Sequence, residues 1–155
     1  MVGNLNERQI AKKAQKIRED IIRSLVAAGS GHSGGPLGLA DIFAALFFSI
    51  LRLKPEDPEW EDRDVLIMSN GHCAPVLYAA MAERGFFDVE ELKSLRKFGS
   101  RLQGHPERLA LPGLETTSGP LGCGLSQAAG FAYSLQCIDH NTQRFVYCVL
   151  GDGEL

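Results

Sequence analysis

The sequence predicts an α/β domain with a mainly parallel sheet flanked by helices. Two features carry this prediction. Stretches of helical periodicity alternate with short apolar runs, and each such run ends in a glycine-bearing turn. The first helix is expected over residues 5–28, where Ile10, Ala14, Ile17, Ile21 and Leu25 recur every three or four positions among Lys, Arg and Glu. Gly29 is a natural stop. Residues 29–38, rich in glycine and serine, read as a loop that is neither helix nor strand. Residues 39–51 are apolar nearly all round and predict a buried helix. Two prolines mark a turn over residues 54–58.

Asp64, Val65, Leu66, Ile67, Met68 and Ser69 form a short, continuously apolar run, as a strand covered on both faces requires. Asn70, Gly71 and His72 break it. A helix resumes over residues 74–84, with Pro75 tolerable in its first turn. Residues 88–98 predict a further helix, with Asp88 as N-cap and Glu91 completing a capping box. Residues 99–119 are irregular. A long helix is expected over 120–138 and a second buried strand over 144–150, ending in Gly151, Asp152 and Gly153. The second strand would form a sheet edge.

Composition narrows the function. Of 155 residues, 45% are hydrophobic and 23% charged, a globular profile, and the net charge of -3 with no basic run argues against nucleic acid. No apolar stretch approaches a membrane span of about 20 residues. The N-terminus has no apolar signal core. Cys73, Cys123, Cys137 and Cys148 are widely spaced, which predicts free thiols in a reduced, cytoplasmic setting. One domain is expected over residues 1–155.

Glycine is abundant, at 17 residues, and it precedes three of the four histidines: Gly31-His32, Gly71-His72 and Gly104-His105. All three pairs fall in loops or at element ends. Imidazoles there can hold phosphate oxygens or move protons on a sugar hydroxyl, and the glycines leave room for a ligand. Zinc is a weaker reading, because these histidines are far apart in sequence. His140 sits in a polar turn and reads as surface. Asp152, at the carboxyl end of a strand, is placed to coordinate magnesium or calcium bridging a diphosphate. Gly119, Pro120, Leu121 and Gly122 open the long helix, so its first backbone amides are expected to face the same crevice.

In order along the chain, Ser30-Gly31-His32 with Pro36-Leu37-Gly38, Met68-Ser69-Asn70-Gly71-His72, Gly104-His105-Pro106-Glu107, Gly119 to Ser126, and Leu150-Gly151-Asp152-Gly153-Glu154-Leu155 resemble the first, diphosphate-binding domain of the transketolase family. The likeness runs from about residue 7 to Leu155. It implies thiamine diphosphate, a divalent cation (Mg2+ or Ca2+) and transfer of a two-carbon ketol unit between sugar phosphates. It also implies that His72 contacts the cofactor's diphosphate, that Gly119, Pro120, Leu121 and Gly153 line the cofactor, and that Asp152 binds the metal. His32 and His105 would then face the substrate as catalytic residues. Ser33 stands where the family often has proline, and Cys123 where it usually has glutamine. Deoxyxylulose-phosphate synthases and dehydrogenase E1 components fit these motifs less well.

The resemblance further implies an asparagine metal ligand about 30 residues past Gly153 and a second, pyrimidine-binding domain. The chain is therefore expected to be a partial domain, inactive alone, that works as a homodimer or with a complementing C-terminal half. A non-catalytic binding or interaction module is the alternative.

Overall fold

The computed structural model describes residues 5–141 and 143–155. Helix α1 (Glu7–Ala28) carries the predicted stripe: Ala14, Ile17 and Ile21 are fully buried. Asn6 caps it, accepting from the Gln9 amide at 3.0 Å while the Gln9 side chain accepts from the Asn6 amide at 2.9 Å. Gly29 ends it with a φ of 67°, a left-handed cap. The segment expected to be pure loop holds a one-turn helix, α2 (Gly34–Gly38). Burial of Pro36 pins this turn, and tertiary packing overrides the poor helix propensity of glycine. Helix α3 (Ala40–Ala45) follows directly and widens into a π-helical stretch over Leu46–Ile50. Together they are the predicted buried helix.

Strand β1 (Val65–Met68) pairs in parallel with β2 (Val146–Val149), in the register Val65 to Val146 and Met68 to Val149. The two strands flank helix α4 (Ala74–Arg84), buried over nearly all its length, and α5 (Cys123–Tyr133), which runs on as a π-helical stretch over Ser134–Ile138. Alternation along β1 sorts its side chains between two packing layers. Leu66 and Met68 join the main core built by α1, α3 and α4, while Val65 and Ile67 pack with Ala128 and Leu135 beneath α5. β1 is thus covered on both faces, as its apolar run predicted.

Three expectations need correction. β2 is half-exposed along its whole length, not buried, because β1 is its one neighbour among the described residues. Residues 88–98 do not form an α-helix. Asp88 caps a 3-10 stretch over Val89–Ser94, accepting from the Glu90 amide at 2.9 Å, and the Glu91 carboxylate turns instead to Arg101. The last helix starts at Cys123, not residue 120, because Gly122 has a φ of 80°, outside helical space. No helix among the described residues is long and apolar enough to cross a membrane.

Candidate functional site

Two of the three glycine-histidine pairs are held by a close approach that a side chain would block. A Cβ on Gly31 would lie 2.5 Å from the Leu25 Cδ2, and the residue's φ of 129° is one that glycine alone adopts readily. This presses the loop bearing His32 onto the end of α1. A Cβ on Gly71 would sit 2.8 Å from the Ser118 carbonyl, so the short turn bearing His72 at the tip of β1 abuts the segment leading to Gly119. His105 is set by its neighbours. The Tyr78 hydroxyl donates to the Gln103 carbonyl at 3.0 Å, and the Ser118 amide donates to the Pro106 carbonyl at 3.1 Å.

These constraints bring the imidazoles together. The His32 and His72 rings meet edge to face with centroids 5.2 Å apart. Burial, and then the charges of His32, His72 and Arg96, hold His105 below the usual histidine range. Arg96 is a non-glycine residue with φ of 60°, and its guanidinium lies about 3.0 Å from where a Gly104 Cβ would be. Its place beside the site was not legible from sequence, since nothing in composition marks an arginine with left-handed backbone.

At the tip of β2, Asp152 and Gly153 lie exposed in a short 3-10 turn. The parallel register places this tip beside the tip of β1, which carries His72. The expected role of the α5 entry changes. The Gly122 amide already donates to Glu154 Oε1 at 3.0 Å and the Gly124 amide to Ser69 Oγ at 3.0 Å. The first amides of α5 are therefore consumed within the chain instead of facing an open crevice. Gly119, Pro120 and Leu121 remain open: nothing lies within 4 Å of a Cβ at Gly119, and Leu121 is 58% exposed. Ser69, Asn70 and Glu154 stand inside the matching motifs but carry no role predicted from sequence, although each abuts a motif glycine at a strand end.

Other hollows lie apart from this cluster. A cleft of about 740 Å³, lined by residues including Ser49, Trp60 and Arg84, opens near the far end of α4 from His72, roughly 15 Å along the helix.

His72 and Asp152 thus follow the carboxyl ends of adjacent parallel strands, the place where open α/β sheets bind ligands. Comparison with known proteins makes this specific. Residues 8–155 match the family described as transketolase, thiamine diphosphate binding domain. The chain belongs to the transketolase family. It is 38% identical over 154 residues to the 6-deoxy-6-sulfo-D-fructose transketolase subunit SqwG of Clostridium sp. (strain MSTE9), covering 97% of this chain and 54% of that protein. It is 45% identical over 143 residues to the human transketolase, covering 92% of this chain and 22% of that one. The crystal structure of the Campylobacter jejuni transketolase superposes with a TM-score of 0.87 at 36% identity, over 97% of this chain and 24% of that chain. The chain thus spans about half the length of one such relative and under a quarter of the others.

The residues present fit thiamine diphosphate. Asn70, 5% exposed, has a buried Oδ1 with no hydrogen-bond partner among the described residues. His72 adjoins it, and Gly119 and Gly153 both have open space where a Cβ would stand. The fit to a divalent cation is poorer. Among the described residues no group of three or more His, Cys, Asp or Glu side chains converges as a metal site. Near-octahedral magnesium needs more oxygens than this.

Proposed function

We propose that this chain belongs to the diphosphate-binding domain of a transketolase-type enzyme that transfers a two-carbon ketol unit between sugar phosphates. The observation that carries the reading is the gathering of His32, His72 and His105 at the strand ends beside the open segment of Gly119, Pro120 and Leu121. His72 donates to the diphosphate and Gly153 gives it room. Gly119, Pro120 and Leu121 line the ring system, mainly through backbone. When bound, thiamine diphosphate supplies a nucleophilic thiazolium carbon for the two-carbon unit. His105, kept neutral at physiological pH, accepts and returns a proton at a substrate hydroxyl, and His32 orients that hydroxyl.

Asp152 gives one carboxylate oxygen to a magnesium or calcium ion, the other ligands coming from the diphosphate, water and residues outside this chain. A homodimer or a complementing C-terminal half supplies the rest of the site, in a reduced cytoplasmic setting that suits four free cysteines. The alternative reading is a non-catalytic binding or interaction module.

Calorimetric titration with thiamine diphosphate, with and without magnesium, tests the proposal on this chain alone and mixed with a C-terminal transketolase half. Magnesium-dependent binding that His72→Ala abolishes is the expected result; its absence in both samples refutes the assignment. Ketol transfer on mixing excludes the non-catalytic reading, and binding without transfer supports it.

A further inference from the structure

Glu154 follows Gly153, and both of its carboxylate oxygens are engaged. Oε1 accepts from the Ser69 hydroxyl at 2.6 Å and from the Gly122 amide at 3.0 Å, and Oε2 accepts from the Gly151 amide at 2.5 Å. Ser69 Oγ in turn accepts from the Gly124 amide at 3.0 Å. One carboxylate therefore joins the tip of β1, the tip of β2 and the entry to α5. The joint is tight, since a Cβ on Gly124 would lie 2.4 Å from the Ser69 Cβ and one on Gly122 would lie 3.4 Å from the Glu154 carbonyl oxygen. Burial pushes the Glu154 carboxyl upward, but the donors at Gly122, Gly151 and Ser69, with His72 nearby, outweigh it and hold the group below its ordinary range.

We propose that Glu154 is a positioning residue whose carboxylate bolts the α5 entry to both strand tips and so sets the path of Gly119, Pro120 and Leu121 beside His72. The functional half of this inference rests on the cofactor reading given above. The physical basis is the positive end of a helix, where a carboxylate satisfies amides that would otherwise lack partners. Charge-assisted hydrogen bonds of this kind are roughly twice as strong as neutral ones. Among the described residues, the other backbone hydrogen bonds beside this segment run from the Ser118 amide to the Pro106 carbonyl and, at 3.4 Å, from the Cys123 amide to the Pro120 carbonyl. With the Gly122 amide taken, the diphosphate must be held by the His72 and Gly153 side of the site.

The test compares Glu154→Ala, Glu154→Gln and Ser69→Ala in the full chain by amide hydrogen exchange and by titration with thiamine diphosphate and magnesium. Glu154→Ala is expected to speed exchange at Gly122 at least about tenfold and to weaken cofactor binding about tenfold, leaving the amides of α1 protected. Glu154→Gln keeps one acceptor oxygen and falls between. Ser69→Ala should free the Gly124 amide. Unchanged exchange at Gly122 in Glu154→Ala overturns the inference, as does faster exchange with undiminished affinity. If the unaltered chain binds no cofactor even when mixed with a C-terminal transketolase half, the functional assignment fails separately, and exchange at Gly122 alone decides whether Glu154 positions the α5 entry. Loss of protection throughout α1 would mark Glu154 as a folding residue and also overturn the inference.

Discussion

Replacing Gly124 by alanine sets two effects of opposite sign against each other. Helix propensity alone favours alanine by about 1 kcal/mol. Packing opposes it: the new Cβ would lie 2.4 Å from Ser69 Cβ, 2.6 Å from Ser69 Oγ and 2.7 Å from Ser69 Cα. Ordinary contact begins near 3.4 Å, so α5 must retreat from β1 by about 1 Å. Overpacking of this kind costs about 1–3 kcal/mol, and loss of the Gly124-to-Ser69 hydrogen bond adds about 1 kcal/mol. The net expectation is destabilisation by about 2 kcal/mol. With a urea slope of about 2 kcal/mol/M, the unfolding midpoint falls by about 1 M. Gly130, in the same helix, has nothing within 4 Å of its Cβ position, so Gly130→Ala should instead raise the midpoint through a gain of about 0.5–1 kcal/mol. Parallel urea titrations followed by circular dichroism decide the matter. If both variants move the midpoint in the same direction, the argument from strand-helix contact is wrong.

Asp64, 1% exposed, accepts from the Arg52 amide at 2.9 Å, the Arg52 guanidinium at 3.0 Å and the Phe145 amide at 3.0 Å. Asp64→Asn turns a donor toward these donors and should cost about 3 kcal/mol in a thermal or urea melt. Burial lifts the Cys73 thiol to about 11, whereas Cys123 and Cys137 are exposed. Iodoacetamide at neutral pH should label the latter two and spare Cys73 until denaturant is added, as read by mass spectrometry. His105 should titrate below the ordinary histidine value in an NMR pH series. Because its folded-state affinity for the proton is depressed, its contribution favours the fold above the ordinary histidine range and is lost as pH falls through that range.

Local rules carried much of this architecture into the sequence. The α1 stripe, the Gly29 stop, the apolar run of β1 and the span of α4 all follow from periodicity and capping within one element. The three glycine-histidine pairs pointed to a shared site because glycine before an exposed imidazole is a local signature of close backbone approach, and the folded chain uses Gly31 and Gly71 in that way. What could not be read depended on partners far away in the chain. α2 forms because Pro36 is buried, and the Glu91 carboxylate leaves its cap for Arg101. Ser69 and Glu154 meet across 85 residues, a distance that no window of local pattern spans.

That separation has a consequence for how the molecule assembles. Beside the first rung of the strand ladder, the Phe145 amide donates to the Asp64 carboxylate across 81 residues, whereas the main core draws mostly on α1, α3 and α4. Contacts of such long range form slowly, and synthesis proceeds from the N-terminus. A nascent chain would therefore condense its helical body and gather His32 and His72 while Ser69 still waits for its acid. Maturation of the pocket is then a closing event of folding, and a ribosome stalled before β2 emerges would leave the imidazoles in place without their clasp.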